Sequence, residues 1–166
     1  TSDTIKTAFE QVPREVFVPQ LKQDYAYSDS PLSIGNGQTI SAPHMIAIMI
    51  EELNLEEDMN VLGVGTGSGY HAALVSKIVK DSGHVYSIER FETLANQARK
   101  NLNQAGINNV TVKVGDGSKG IPDYKPFDRI YVTCTAPQIP HPLKNQLDDP
   151  GILLIPIGNV YGQLEK

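Results

Sequence analysis

The chain has 166 residues, 40% of them hydrophobic, with 14 basic and 19 acidic side chains and a net charge of −5. That length suits one domain with a real core, while the acidic balance argues against a nucleic-acid surface, which needs clustered Lys and Arg. The longest apolar run, 45–50, falls far short of the ~20 residues of a membrane helix. The single cysteine, Cys134, cannot form an intramolecular disulfide and suits a reducing compartment. With no secretory pattern at the first residues, a cytoplasmic protein is expected.

In chain order, 4–12 and 14–21 read as short helical pieces interrupted by Pro13 and Pro19. Residues 27–40 read as a turn-rich loop around Pro31, Gly35, Asn36 and Gly37. A helix is predicted to start near Ser41 and run to Leu53, with Met45, Ile46, Met49, Ile50 and Leu53 as its buried stripe. Ser41 is suited to cap that helix. From residue 60 the pattern becomes strand, turn, helix, repeated. Strands are predicted at 60–64, 84–88, 110–114, 127–132 and 152–157, and Pro156 predicts fraying or a ladder break in the last. Helices are predicted at 70–80 and 91–105, the second stopped by Gly106. The fold class is therefore α/β, a doubly wound, mostly parallel sheet. Residues 1–59 form an N-terminal helical lid on the 60–166 core within a single domain.

Open α/β sheets bind ligands beyond the carboxyl ends of their strands, and three features converge there. Gly63-Val64-Gly65-Thr66-Gly67-Ser68-Gly69-Tyr70 joins the first core strand to its helix, where dense glycine lets backbone approach a ligand. Glu89 ends the second strand, where a carboxylate can accept from two ribose hydroxyls. Gly115-Asp116-Gly117 ends the third, where a carboxylate can accept from an adenine amino group. Each feature alone has a plainer reading: a tight strand–helix turn, a solvated helix-start acid, and ordinary Gly-Asp-Gly turn chemistry. Together they specify a nucleoside-bearing cofactor. His44, His71, His84 and His141 lack metal-site spacing and read as surface or core residues, and Cys134 reads as buried packing.

The segment Pro31-Leu32-Ser33-Ile34-Gly35-Asn36-Gly37-Gln38-Thr39-Ile40-Ser41-Ala42-Pro43-His44-Met45 resembles the signature of the protein-L-isoaspartate O-methyltransferase family, a class I S-adenosylmethionine-dependent group. Val-Pro-Arg-Glu-Val-Phe-Val-Pro at 12–19, Gly-Thr-Gly-Ser-Gly-Tyr at 65–70, Val-Tyr-Ser-Ile-Glu-Arg at 85–90 and Phe-Asp-Arg-Ile-Tyr-Val-Thr at 127–133 extend the likeness over essentially the whole chain. The resemblance implies methyl transfer from S-adenosylmethionine, leaving S-adenosylhomocysteine, to the free α-carboxylate of L-isoaspartyl residues in damaged proteins. The ester then closes to a succinimide, whose hydrolysis returns some normal aspartate. It further implies that Ser41 orients the attacking carboxylate, while Thr39, Ile40 and Ala42 enclose the site from the lid. Gly65, Gly67 and Gly69 with Thr66 would admit the methionine portion, Glu89 with Arg90 the ribose, and Asp116 with Gly117 the adenine. No nucleic-acid or membrane partner is implied.

Two departures from the family pattern carry expectations. The family has an acid where this chain has Gly63, which predicts looser cofactor binding or slower turnover. Family members also continue past the fifth core strand, so strands that approach the substrate are expected to be missing after Lys166. An impaired member that binds cofactor or damaged protein without efficient turnover is the alternative. A dinucleotide oxidoreductase rests only on the loose Gly67-Ser68-Gly69-Tyr70-His71-Ala72 match and leaves Asp116 and the 31–45 segment unexplained.

Overall fold

The computed structural model describes residues 2–158 and 163–166. Its centre is a six-stranded sheet in the order β5-β4-β3-β6-β7-β8. The strands are β3 (Asn60–Val64), β4 (His84–Glu89), β5 (Val110–Val114), β6 (Phe127–Val132), β7 (Leu147–Ile157) and β8 (Gln163–Glu165). All neighbours pair in parallel except β8, which runs antiparallel to β7. The chain order reverses at β3, which pairs with β4 on one side and β6 on the other. That switch point opens a crevice at the carboxyl ends of β3, β4 and β6.

Alternation along the buried strands feeds two apolar clusters, one on each face. Val61, Val85, Tyr131 and Leu154 face one cluster, while Leu62, Val64, Ile130 and Leu153 face the other. The helix α3 (Tyr70–Val79) is buried along almost its whole length, only Lys77 being partly exposed, because α1 (Asp3–Gln11) packs over it. The helix α4 (Glu92–Gln104) follows β4 and buries Leu94, Ala98 and Leu102, the predicted four-residue spacing. The short α5 (His141–Gln146) buries Leu143 against the opposite cluster.

The N-terminal extension departs from the expectation in three ways. The predicted loop at 27–40 contains a two-stranded hairpin, β1 (Leu32–Gly35) and β2 (Gln38–Ile40). Asn36 and Gly37 turn it with φ of 53° and 69°, the paired positive values that a two-residue hairpin loop demands. The helix α2 spans Pro43–Glu52 with Ala42 at its N-cap, so Ser41 is not the cap. Pro43 has no N–H, and the first free amide, that of His44, donates instead to Asp29 Oδ1 at 3.1 Å. Met45, predicted buried, is exposed on α2, whereas Ile46, Met49, Ile50 and Leu53 form the stripe.

At the other end, β7 runs through Pro156 without a break. Pro156 opposes Leu164 in the β7–β8 ladder, and its carbonyl accepts from Ala136 N at 3.0 Å. Proline is tolerated there because the bridge to Ala136 takes its other bond from the amide of Gly158, which donates to Ala136 O at 3.0 Å, and so asks for no N–H at residue 156.

Candidate functional site

The crevice widens into a cavity of about 680 Å³, within the usual range for small-molecule sites. Its floor is the loop after β3. Gly65 N donates to Ile88 O at 2.9 Å and Gly69 N to Thr66 O at 2.9 Å, while Thr66 Oγ1 and Ser87 Oγ lie 2.6 Å apart. Gly65 has φ +90°, and a β-carbon there would sit 2.3 Å from Thr133 Oγ1. That hydroxyl donates to Gly65 O at 2.8 Å, so the loop after β6 is tied to the glycine loop only because residue 65 has no side chain.

Glu89, at the end of β4, is buried yet already held: Oε2 accepts from Gly67 N at 2.9 Å and Oε1 from Phe91 N at 3.1 Å. Each oxygen keeps a lone pair for a ligand hydroxyl. Asp116 is exposed after β5, and its Oδ1 accepts from Ser118 Oγ at 2.7 Å and Ser118 N at 3.0 Å. Those bonds hold its carboxyl below the usual carboxylate range. Gly117 lies so close to Val64 that a β-carbon would meet Cγ1 at 2.4 Å. From the lid, Thr39, Ile40 and Ser41 close the opposite side.

Of the expected site residues, Thr39, Ser41, Gly65, Thr66, Gly67, Glu89, Arg90, Asp116 and Gly117 all line this one cavity. Gly69 and Ala42 do not. Gly69 is the N-cap of α3 and packs against α4, where a β-carbon would lie 3.3 Å from Leu102 Cγ. Ala42 is buried at the start of α2. Cys134, expected as buried packing, is exposed on the cavity wall. The strand-end rule that found Glu89 and Asp116 would have found Thr133, Cys134 and Thr135 too, had it been applied to β6.

Tyr70 and His71 also line the cavity and have no counterpart in the expected set. The His71 ring stacks on Tyr131 with centroids 4.3 Å apart. Its Nε2 is buried without a partner among the described residues, and burial lowers its pKa to about 3. It is therefore neutral at physiological pH. Burial pushes the Tyr70 phenol up to about 12. His44 pairs with Asp29 at 2.8 Å, His84 with Thr111 at 2.8 Å and His141 with Asn145 at 3.1 Å. Among the described residues, no group of three or more His, Cys, Asp or Glu side chains could hold a metal ion, and no helix is long and apolar enough to cross a membrane.

The residues fit a nucleoside bearing an amino-acid chain. Two carboxylates end successive strands, glycines at 65 and 117 leave the floor bare, and the lid contributes a hydroxyl pair at 39 and 41. A mostly parallel sheet with that crevice at its switch point is a doubly wound nucleotide-binding architecture, and the solved structures that superpose on it at 36% and 27% identity are S-adenosylmethionine-dependent methyltransferases. The family model described as protein-L-isoaspartate(D-aspartate) O-methyltransferase matches residues 1–166, and the chain belongs to that family.

A protein-L-isoaspartate O-methyltransferase of Methanosarcina mazei is 52% identical over 162 residues, covering 98% of this chain and 67% of the relative. A solved protein-L-isoaspartate O-methyltransferase superposes with a TM-score of 0.88 at 36% identity, over 94% of this chain and 51% of that one. This chain thus spans about half the length of that structure. A Plasmodium falciparum protein described as a protein-L-isoaspartate O-methyltransferase in complex with S-adenosyl-L-homocysteine matches with a TM-score of 0.85 at 27% identity. It covers 96% of this chain, which spans 78% of it. The family's activity is the transfer of methyl from S-adenosylmethionine to isoaspartyl residues of proteins, and its cofactor is S-adenosylmethionine.

Proposed function

We propose that the acceptor carboxylate is held at the lid end of the cavity by the Ser41 hydroxyl. The cofactor then lies along Gly65, Thr66 and Gly67, with Glu89 beside Arg90 on the ribose hydroxyls and Asp116 with Gly117 at the adenine. The observation that carries this reading is that Ser41 lines the cavity and is not spent on capping α2. Thr39 and Ile40 enclose the same end.

The chemistry asks little of the protein. The acceptor, a carboxylate with a pKa of roughly 3–4, is ionised at neutral pH and needs no general base. A neutral His71 in the wall is consistent with that. S-adenosylmethionine supplies a methyl group already activated on a sulfonium. What this chain adds is alignment of carboxylate oxygen against methyl carbon, which can be worth several orders of magnitude. One oxygen–carbon bond forms, one carbon–sulfur bond breaks, and no proton moves. A cytoplasmic location is supported by the lone cysteine.

The second reading, cofactor binding with impaired turnover, is favoured by Gly63, which stands where the family carries an acid. One assay separates them: methyl-labelled S-adenosylmethionine with an isoaspartyl peptide beside its aspartyl twin. Base-labile label on the isoaspartyl peptide alone supports transfer, and its loss by about tenfold or more in Ser41→Ala supports the assigned role, one hydrogen bond to a charged group being worth roughly 1.5–3 kcal/mol. Binding of S-adenosylhomocysteine without label transfer supports the second reading.

A further inference from the structure

The N-terminal extension buries one cation whose purpose the cavity alone does not explain. Arg14, on the turn after α1, has no exposed surface. Its Nε donates to Ala26 O at 2.5 Å and its Nη2 to Ser41 O at 2.9 Å. The guanidinium carbon lies 5.0 Å from the centroid of the Tyr70 ring, and Nη1 has no partner among the described residues. No described carboxylate ion-pairs with it. A buried charge with no carboxylate in contact, only the Tyr70 ring beside it and Asp29 further off, is costly, so its retention calls for an account beyond packing.

The three partners supply one. Ala26 ends the second short turn, Ser41 lies between the hairpin and α2, and Tyr70 opens α3 and lines the cavity. Arg14 thus joins three segments that are distant in sequence, two from the lid and one from the core. Among the described residues the Ser41 side chain has no hydrogen-bond partner to fix it, since Ala42 takes the N-cap position and Asp29 meets the first free amide of α2. The orientation of residue 41 is therefore set through its backbone, and Arg14 holds the carbonyl of that backbone.

We propose that Arg14 is a positioning residue for methyl transfer: by gripping the Ser41 carbonyl while seated on Tyr70, it fixes the peptide at 41 so that the hydroxyl faces the acceptor carboxylate. This rests on the reading of Ser41 given above. The fork of the guanidinium matters, because Nε and Nη2 reach two carbonyls at once. A lysine keeps the charge but presents one nitrogen and cannot reproduce that grip. Methionine keeps much of the volume and removes both donors and charge.

The test is a double-mutant cycle on methyl transfer to an isoaspartyl peptide. Arg14→Lys and Arg14→Met are each made with Ser41 present and in the Ser41→Ala background, and S-adenosylhomocysteine affinity is measured in parallel. With Ser41 present, both variants are expected to lower kcat by about tenfold while leaving S-adenosylhomocysteine affinity within about twofold; with Ser41→Ala, the same changes lower kcat by less than about twofold. Equal losses in both backgrounds overturn the proposal and leave the Ser41 assignment standing. A Ser41→Ala rate equal to the parent overturns both. Arg14→Met leaves no buried charge, so it remains informative where Arg14→Lys unfolds the lid. Unfolding of both variants at the assay temperature overturns the proposal, because Arg14 is then a residue of the scaffold alone.

Discussion

Gly63 and Tyr131 face each other across the β3–β6 pair and share the space of one side chain. A β-carbon on Gly63 would lie 2.3 Å from Tyr131 Oη and 2.4 Å from Cζ. The phenol is buried and stacked on His71, so it cannot swing aside cheaply. The bare backbone of Gly63 is thus covered by the aromatic ring of Tyr131.

Gly63→Ala is expected to destabilise the protein by about 1–3 kcal/mol, the usual cost of overpacking, measured by urea denaturation. Tyr131→Phe gives little relief, since Cζ clashes as well as the hydroxyl. Gly63→Glu is not a simple reversion either, and Tyr131→Val in the same chain is expected to recover stability. A Gly63→Glu single variant as stable as the parent would show that the space is not shared.

His71 makes stability depend on pH. Burial lowers its pKa to about 3 in the folded chain, against roughly 6.5 when unfolded. Between those values the unfolded chain binds a proton that the folded chain refuses. The contribution is complete above pH 6.5 and is lost as pH falls, at up to about 1.4 kcal/mol per pH unit. His71→Phe keeps the stack on Tyr131 and removes the titrating group. Its stability relative to the parent should improve steadily between pH 6.5 and 4.5, and a constant gap over that range would contradict a neutral buried imidazole.

Ser41→Ala separates a capping role from a site role by stability alone. Loss of a serine N-cap costs about 1 kcal/mol, or roughly 2–4 °C in Tm for a chain of this size. With α2 capped at Ala42 and served by Asp29, the expected change is under about 1 °C. Scanning calorimetry of parent and variant decides it.

Glu89→Gln removes charge and one of two acceptor atoms from a side chain that joins the glycine loop to the start of α4. Affinity for S-adenosylhomocysteine is expected to fall about 10- to 100-fold, in line with roughly 1.5–3 kcal/mol for a hydrogen bond to a charged group. Titration calorimetry measures it, and an unchanged dissociation constant would remove Glu89 from the ribose.

The features written locally in the sequence were legible. Short apolar runs bounded by turns mark β3 to β6, four-residue spacing marks α4, and the strand-end rule brings Gly65, Glu89 and Asp116 to one cavity. What escaped depends on contacts between distant residues. A serine before a helix reads as a cap, and only the fold shows that Asp29, 15 residues from His44, has taken over the task. The burial of Arg14 is set by Ala26 and Ser41, 12 and 27 residues away, and nothing local in the sequence marks it. The hairpin was hidden because its strands are only four and three residues long, too short for a period to emerge, although Asn36-Gly37 is the signal that could have revealed it.

The apolar lining on the lid side has a consequence for reactivity. Ile40 and Ile46 are buried and border the cavity beside Ser41. A carboxylate in bulk water is a sluggish nucleophile because its oxygens are wrapped in a hydration shell. Held beside those isoleucines as proposed, it would shed part of that shell and gain the Ser41 hydroxyl, exchanging mobile water dipoles for a fixed donor. In a reaction that needs neither acid nor base, control over the solvation of one oxygen is among the few means a protein has to set the rate.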